Sequence, residues 1–164
     1  MPKGLKKRNS RSSIYFFWRW RNRMSARGAV FGITASVQPQ HLVRAVLSAI
    51  AYQVLEVVQA INASSSTPMG RLIVDGGACE SNFLMQFQAD VLEIPVERPM
   101  MNDITVQGVA FAAGLAVGFW HSYTALVQQR QIDRVFEPGK GMEDALANFA
   151  TWQKPVKRTL AWVD

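Results

Sequence analysis

At 164 residues with 49% hydrophobic content, the chain is long enough for one globular domain with its own core and too short for two of full size. Its net charge of +6 would suggest a polyanionic partner, but nine of the 18 basic residues lie within residues 1–27, where there is no acidic one. The other nine are outnumbered by all 12 acidic residues, and a single cysteine excludes an internal disulfide or a Cys-based zinc cluster.

Residues 1–25 mix Lys and Arg with Phe16, Trp18 and Trp20 without a clean period. Such a segment could contact nucleic acid or an anionic lipid surface, because cations neutralise phosphates while aromatic rings stack or insert. It also has the Arg-rich, acid-free composition of organelle transit peptides. A disordered extension with no role of its own is the plainer expectation, and it leaves 26–164 as the folded domain.

From Gln40 to Ile61, the residues Leu42, Val46, Ile50, Leu55, Val58 and Ile61 recur at spacings near three and four, which predicts a long amphipathic helix with Pro39 in its first turn. NASSSTPMG, over 62–70, is a turn-rich connector. Arg71 to Val74 reads as a short buried strand ended by Gly76 and Gly77. A helix is expected from about Glu80 to Leu92, with the Glu80 carboxylate in its favourable first turn.

IPVERP, over 94–99, predicts a second strand, after which Asp103 or Thr105 can cap another helix. That helix holds Gly108, Gly114 and Gly118, each costing about 1 kcal/mol of propensity relative to alanine, so close packing is expected to offset them. The apolar run from Gly108 to Trp120 is shorter than the ~20 residues that span a bilayer and reads as a buried helix. DRVFEP predicts an edge strand, and Gly141 to Trp162 a terminal helix interrupted or kinked near Pro155. Alternating strands and helices imply an α/β layered domain.

The strand, two glycines and helix of RLIVDGGACESNFLMQF can admit a ligand close to the backbone. By itself the pattern is more often a tight turn. Neither GxGxxG nor GxxxxGK[ST] is present, so neither a dinucleotide fingerprint nor a phosphate-cradling loop is supported. Cys79 has no histidine placed beside it by sequence and reads as a packing residue, as do His41 and His121.

Longer stretches sharpen that reading: ARGAVFGIT, HLVRAVLSAIAYQVLEVVQA, VDGGACESNFLMQFQADVLEIPVERP, GVAFAAGLAVGFW, RVFEPG and WQKPVKRTLAW. In this order they resemble the C-terminal part of glycerol kinases, members of the FGGY family of carbohydrate kinases, from Ala26 onward. The resemblance implies an α/β, ribonuclease H-like (actin-like ATPase) C-terminal lobe, incomplete at its N-terminal strands. It implies that backbone at Gly77 and Ala78 meets the adenosine side of ATP or ADP, with Gly76 and Asp75 shaping the turn. Ser81 stands where the family has a nucleotide-contacting asparagine, and Cys79 and Glu80 replace a small pair. Asp103, Thr105 and Gly108 resemble E-x-T-x-x-G, with Val109 in place of a small residue.

Nothing in residues 1–25 resembles the family's catalytic base, phosphate loops, metal ligands or glycerol site. The resemblance therefore implies ATP or ADP with Mg2+ in the full-length family but no catalytic or metal-binding residue in this chain. The expectation is a cytoplasmic nucleotide-binding lobe, inactive alone, which meets glycerol only together with an N-terminal half and can form homo-oligomers. The alternatives are a non-catalytic remnant or a basic-armed nucleic-acid or membrane binder. Loss of the neighbours that would cover the Leu72–Val74 strand predicts low stability for the isolated chain.

Overall fold

Residues 15–17, 28–100, 104–128, 131–139 and 141–159 are described by the computed structural model. The chain divides into two compact units, one comprising 1–50 and 150–164 and the other 51–149, so the boundaries fall inside two helices.

In the first unit, β1 (Tyr15–Phe17) pairs antiparallel with β2 (Ala29–Phe31), in the register Tyr15 to Phe31. β1 falls within the segment expected to be an extension; residues 1–14 and 18–27, which carry most of the basic arm, lie outside the described residues. Helix α1 spans Pro39–Ser64. Pro39 opens it, and the His41 Nδ1 accepts the Gln38 amide at 3.0 Å, the reach of a third-position side chain back to the cap. His41 and His121 are thus exposed rather than packed. Ala45, Ala49, Tyr52, Leu55 and Val58 form the buried stripe of α1 at helical spacing, whereas Leu42, Val46, Ile50 and Ile61 of the expected stripe are exposed. By length and composition alone α1 could also cross a membrane. Helix α5 (Met142–Arg158) continues through Pro155, where an interruption or kink was expected; Trp152 and Val156 on it are buried.

The second unit is built on a three-stranded sheet in the order β3 (Leu72–Ile73), β4 (Val96–Pro99), β5 (Ile132–Phe136). β3 and β4 are parallel, so a crossover must join them, and α2 (Asn82–Leu92) supplies it. β5 closes back antiparallel on β4, with an irregularity between Arg98 and Pro99, where proline has no amide for the ladder. Leu84, Met85, Ala89, Val91, Val96 and Phe136 are buried core residues of this unit. The Tyr52 ring sits 5.5 Å from both Phe87 and Phe149, and its hydroxyl donates to the Ala145 carbonyl at 3.3 Å.

Helix α3 (Ile104–Ala116) contradicts the expectation of a buried helix: Val109 is 68% exposed, and Val106, Val117 and Phe119 are exposed with it. Its composition is apolar all round, so hydrophobicity marks no face as inner. The glycines divide into three cases. A Cβ on Gly114 would collide with the Trp120 ring, one on Gly108 would meet nothing within 4 Å, and Gly118 lies past the helix at φ +75°. There the Phe119 amide bonds the Gly114 carbonyl at 2.8 Å and the Gly118 amide that of Leu115 at 3.2 Å, a Schellman ending. The short helix α4 (Tyr123–Gln128) follows.

Candidate functional site

Parallel pairing of β3 and β4 brings their carboxyl ends out on the same side of the sheet, where ligands of open α/β sheets bind. The Leu72 amide bonds the Pro95 carbonyl at 2.9 Å and the Val74 amide that of Glu97 at 3.1 Å, so β3 holds only a short grip on its neighbour. Asp75 and Gly76 follow at once. Gly76 adopts φ +81°, ψ 170°, a conformation open to glycine and strained for any L side chain.

The chain then tightens into a single 3-10 turn over Gly77–Glu80. The Cys79 amide bonds the Gly76 carbonyl at 3.0 Å and the Ser81 amide that of Ala78 at 3.3 Å, so the turn supplies no partner for the Gly77 and Ala78 amides. A Cβ built on Gly76 or Gly77 meets no atom within 4 Å. Gly77 and Ala78 are exposed, whereas Cys79 is 1% exposed and turned into the protein. Burial pushes its thiol pKa above the usual value; the nearby Arg98 cation opposes that, and Glu80 and Asp75 add to it.

Gly76, Gly77, Ala78 and Ser81 are therefore consecutive parts of one turn, but Ser81 has a further duty. Its side-chain oxygen accepts the Leu84 amide at 3.3 Å as the N-cap of α2. The helix expected from about Glu80 starts at Asn82 instead, because the 3-10 turn uses residues 77–80. Glu80 is exposed. Asp103 lies outside the described residues, while Thr105, Gly108 and Val109 are exposed positions of α3.

Sequence reasoning missed two side chains that shape this region. Arg98 on β4 donates from Nη1 to the Cys79 carbonyl at 2.9 Å, the Glu80 carbonyl at 3.4 Å and Asn82 Oδ1 at 3.0 Å. Its Nε donates to Asp133 Oδ2 at 2.7 Å. Cross-strand pairing sets Arg98 opposite Arg134, normally a repulsive match, yet both guanidinium carbons lie over the Phe136 ring, at 5.3 and 4.6 Å. Asp90, buried at the end of α2, accepts the Gly139 amide at 2.9 Å and Gln86 Nε2 at 3.0 Å. Gln86 Nε2 in turn reaches the Glu137 carbonyl at 2.8 Å. The available signal was charge itself: an arginine within a strand and an aspartate within an apolar helix must each find partners.

A family description, the C-terminal domain of the FGGY family of carbohydrate kinases, matches residues 16–117. A glycerol kinase of Trichormus variabilis is 83% identical over 140 residues, 85% of this chain and 28% of that protein. Glycerol kinase 2 of Thermotoga maritima is 46% identical over 139 residues, again 85% of this chain and 28% of the relative. The chain thus spans a little over a quarter of the length of these curated relatives. Among solved structures, the glycerol kinase of Plasmodium falciparum with ADP is similar at TM-score 0.77 and 29% identity, covering 91% of this chain and 31% of that one. The ligand-bound xylulose kinase of Lactobacillus acidophilus is similar in fold at TM-score 0.68 and 21% identity, over 82% of this chain and 27% of that one.

Proposed function

The chain belongs to the FGGY family of carbohydrate kinases, and on that footing we propose that it forms the adenosine side of the ATP site of a glycerol kinase. Its fold is the α/β, actin-like C-terminal lobe of such kinases. Backbone at Gly77 and Ala78 receives the adenosine part of ATP or ADP, Gly76 and Asp75 give the turn its shape, and Ser81 borders it. The observation that carries this reading is the open space at both glycines: among the described residues, no atom beyond the adjoining chain lies within 4 Å of a Cβ built at either. A flat ligand can approach the main chain there. The likeness to a glycerol kinase solved with ADP supports the choice of ligand.

Phosphoryl transfer to glycerol requires the γ-phosphate, Mg2+ and the acceptor hydroxyl to be held together in line. The residues of this chain bind and orient the adenosine end. The base, the metal ligands and the glycerol contacts come from the part of the kinase beyond this quarter. The chain alone should therefore bind ADP without glycerol-dependent ADP production, and turnover should appear when the upstream part of a related glycerol kinase is supplied.

Calorimetry with ADP, beside a coupled assay for glycerol-dependent ADP release, tests both halves. Gly77→Val is the decisive variant, because a Cβ at this position meets no atom of the described residues within 4 Å and the branched side chain is directed into the proposed ligand space. It should keep the melting temperature and lose ADP binding. Unchanged ADP affinity in Gly77→Val, or turnover of glycerol by the purified chain alone, refutes the proposal.

A further inference from the structure

Two adjacent glycines at the end of a two-residue strand make a poor platform on their own, since glycine loses more backbone freedom on ordering than any other residue. A ligand that had to order this segment would bind more weakly by that cost. The turn must be held from somewhere else. β3 contributes the two main-chain bonds already described, and Ser81 caps the helix beyond the turn. The bonds on the carbonyl side of the turn come from Arg98, which reaches across from β4 to three acceptors within residues 79–82.

Arg98 is itself fixed. Asp133 holds its Nε, Phe136 lies beneath its guanidinium, and the side chain is 14% exposed. Its donors meet carbonyls and an amide oxygen on the turn, so this cation serves the main chain of the protein. We propose that Arg98 is a positioning residue: it clamps the Cys79 and Glu80 carbonyls to the sheet and so keeps the Gly76–Gly77 face in the shape that receives a nucleoside diphosphate. The ligand named here rests on the nucleotide reading of the preceding subsection, whereas the clamp rests on the bonds alone. Nη1 serves the turn while Nε serves Asp133, so two nitrogens of one planar fork tie the turn to β5, which the single ammonium of lysine cannot do at once.

Cys79 provides a readout that needs no ligand. It is the sole cysteine of the chain, it is buried, and its own carbonyl is one of the clamped groups. A thiol-reactive disulfide reagent can reach it only when the turn opens. The wild-type chain is compared with Arg98→Met, Arg98→Lys and Asp133→Asn, and with Leu126→Ala as a core truncation in the same unit, matched for melting by added urea. ADP affinity is measured on each by calorimetry.

Arg98→Met should label about tenfold faster than the matched Leu126→Ala variant and bind ADP about tenfold more weakly, the scale set by losing charge-assisted bonds. Arg98→Lys should fall between it and the wild type, and Asp133→Asn should shift both readouts in the same direction by less. Removing the Arg98 cation also withdraws the influence that favours the thiolate, so faster labelling reports exposure and not a more reactive sulfur. If Arg98→Met does not fold, the lysine and Asp133→Asn variants decide by the same two readouts. Labelling no faster than in the matched control overturns the clamp. Faster labelling with unchanged ADP affinity overturns its role in binding. A wild-type chain that binds no ADP refutes the nucleotide reading and the ligand part of this proposal with it, and the labelling comparison then judges the clamp alone.

Discussion

Two glycine turns in the same unit have opposite surroundings. The Gly76–Gly77 turn after β3 borders open space, whereas Gly139 and Gly141, after β5, are seated on a buried carboxylate. A Cβ on Gly141 would stand 2.6 Å from Asp90 Oδ2, and one on Gly139 would rest 3.6 Å from Oδ1. Gly141 is thus required by the protein's own packing. Among the described residues no atom stands within 4 Å of a Cβ at Gly77, which leaves room there for the ligand proposed above. The space beside each glycine is what distinguishes the two positions.

The largest effect is expected at the closed turn. Asp90→Ala leaves the Gly139 amide without its acceptor and Gln86 with only the Glu137 carbonyl, and should cost about 1–3 kcal/mol in urea unfolding through the desolvation penalty of the unpaired groups. Gly141→Ala should cost about 1–3 kcal/mol by forcing the carboxylate off those bonds. Gly139→Ala makes only ordinary contacts and should stay within about 0.5 kcal/mol of wild type. A loss at Gly139 equal to that at Gly141 would break the distinction between the two positions.

At the open turn the pattern should invert, with smaller stability effects and larger ligand effects. A Cβ at Gly76 meets no atom of the described residues within 4 Å, but Gly76→Ala must adopt φ +81°, ψ 170°, an essentially glycine-only region, which costs about 1–3 kcal/mol for an L residue. Its urea midpoint should fall modestly while ADP binding weakens with the altered turn. Unaltered stability would mean that the backbone at Gly76 relaxes freely, and the claim that its conformation shapes the site would fail.

Much of this architecture was readable because it rests on local period and punctuation. The long helix α1, the strand ended by Gly76, the β4 strand in IPVERP and the edge strand in DRVFEP all announce themselves within a few residues, but not which face of α1 is buried: Leu42, Val46, Ile50 and Ile61 are exposed. The 3-10 turn does not, because GACE has no period and its shape is fixed by Gly76 on one side and by Arg98, from another strand, on the other. Arg98 was hidden for the same reason: within VERP it looks like any polar strand residue, and its partners at Cys79, Asn82 and Asp133 are remote in sequence. Exposure of α3 was unreadable because glycine and alanine mixed with valine offer no contrast between faces, so composition suggested burial. No interruption occurs at Pro155, because the proline φ suits a helix and the cost of the missing amide is local.

The smallest expected effect concerns the inner side of the open turn. Burial raises the Cys79 thiol pKa, with Arg98 opposing and Glu80 and Asp75 assisting, so the folded chain retains the thiol proton at a pH where the unfolded chain has lost it. In that interval the unfolded state binds fewer protons, and stability must fall as pH rises. The contribution is fully present below the ordinary thiol pKa and is lost from about pH 8.5 upward. Lysines and tyrosines titrate in the same range, so the slope is read as the difference between the wild type and Cys79→Ala, whose alkaline loss should be shallower even if its stability at pH 7 is lower. Parallel slopes would place the thiol in contact with solvent and remove the contrast between a closed inner side and an open outer one. A steeper wild-type slope that flattens in Arg98→Met as well would show that the thiol stays buried only while the guanidinium holds the turn in place.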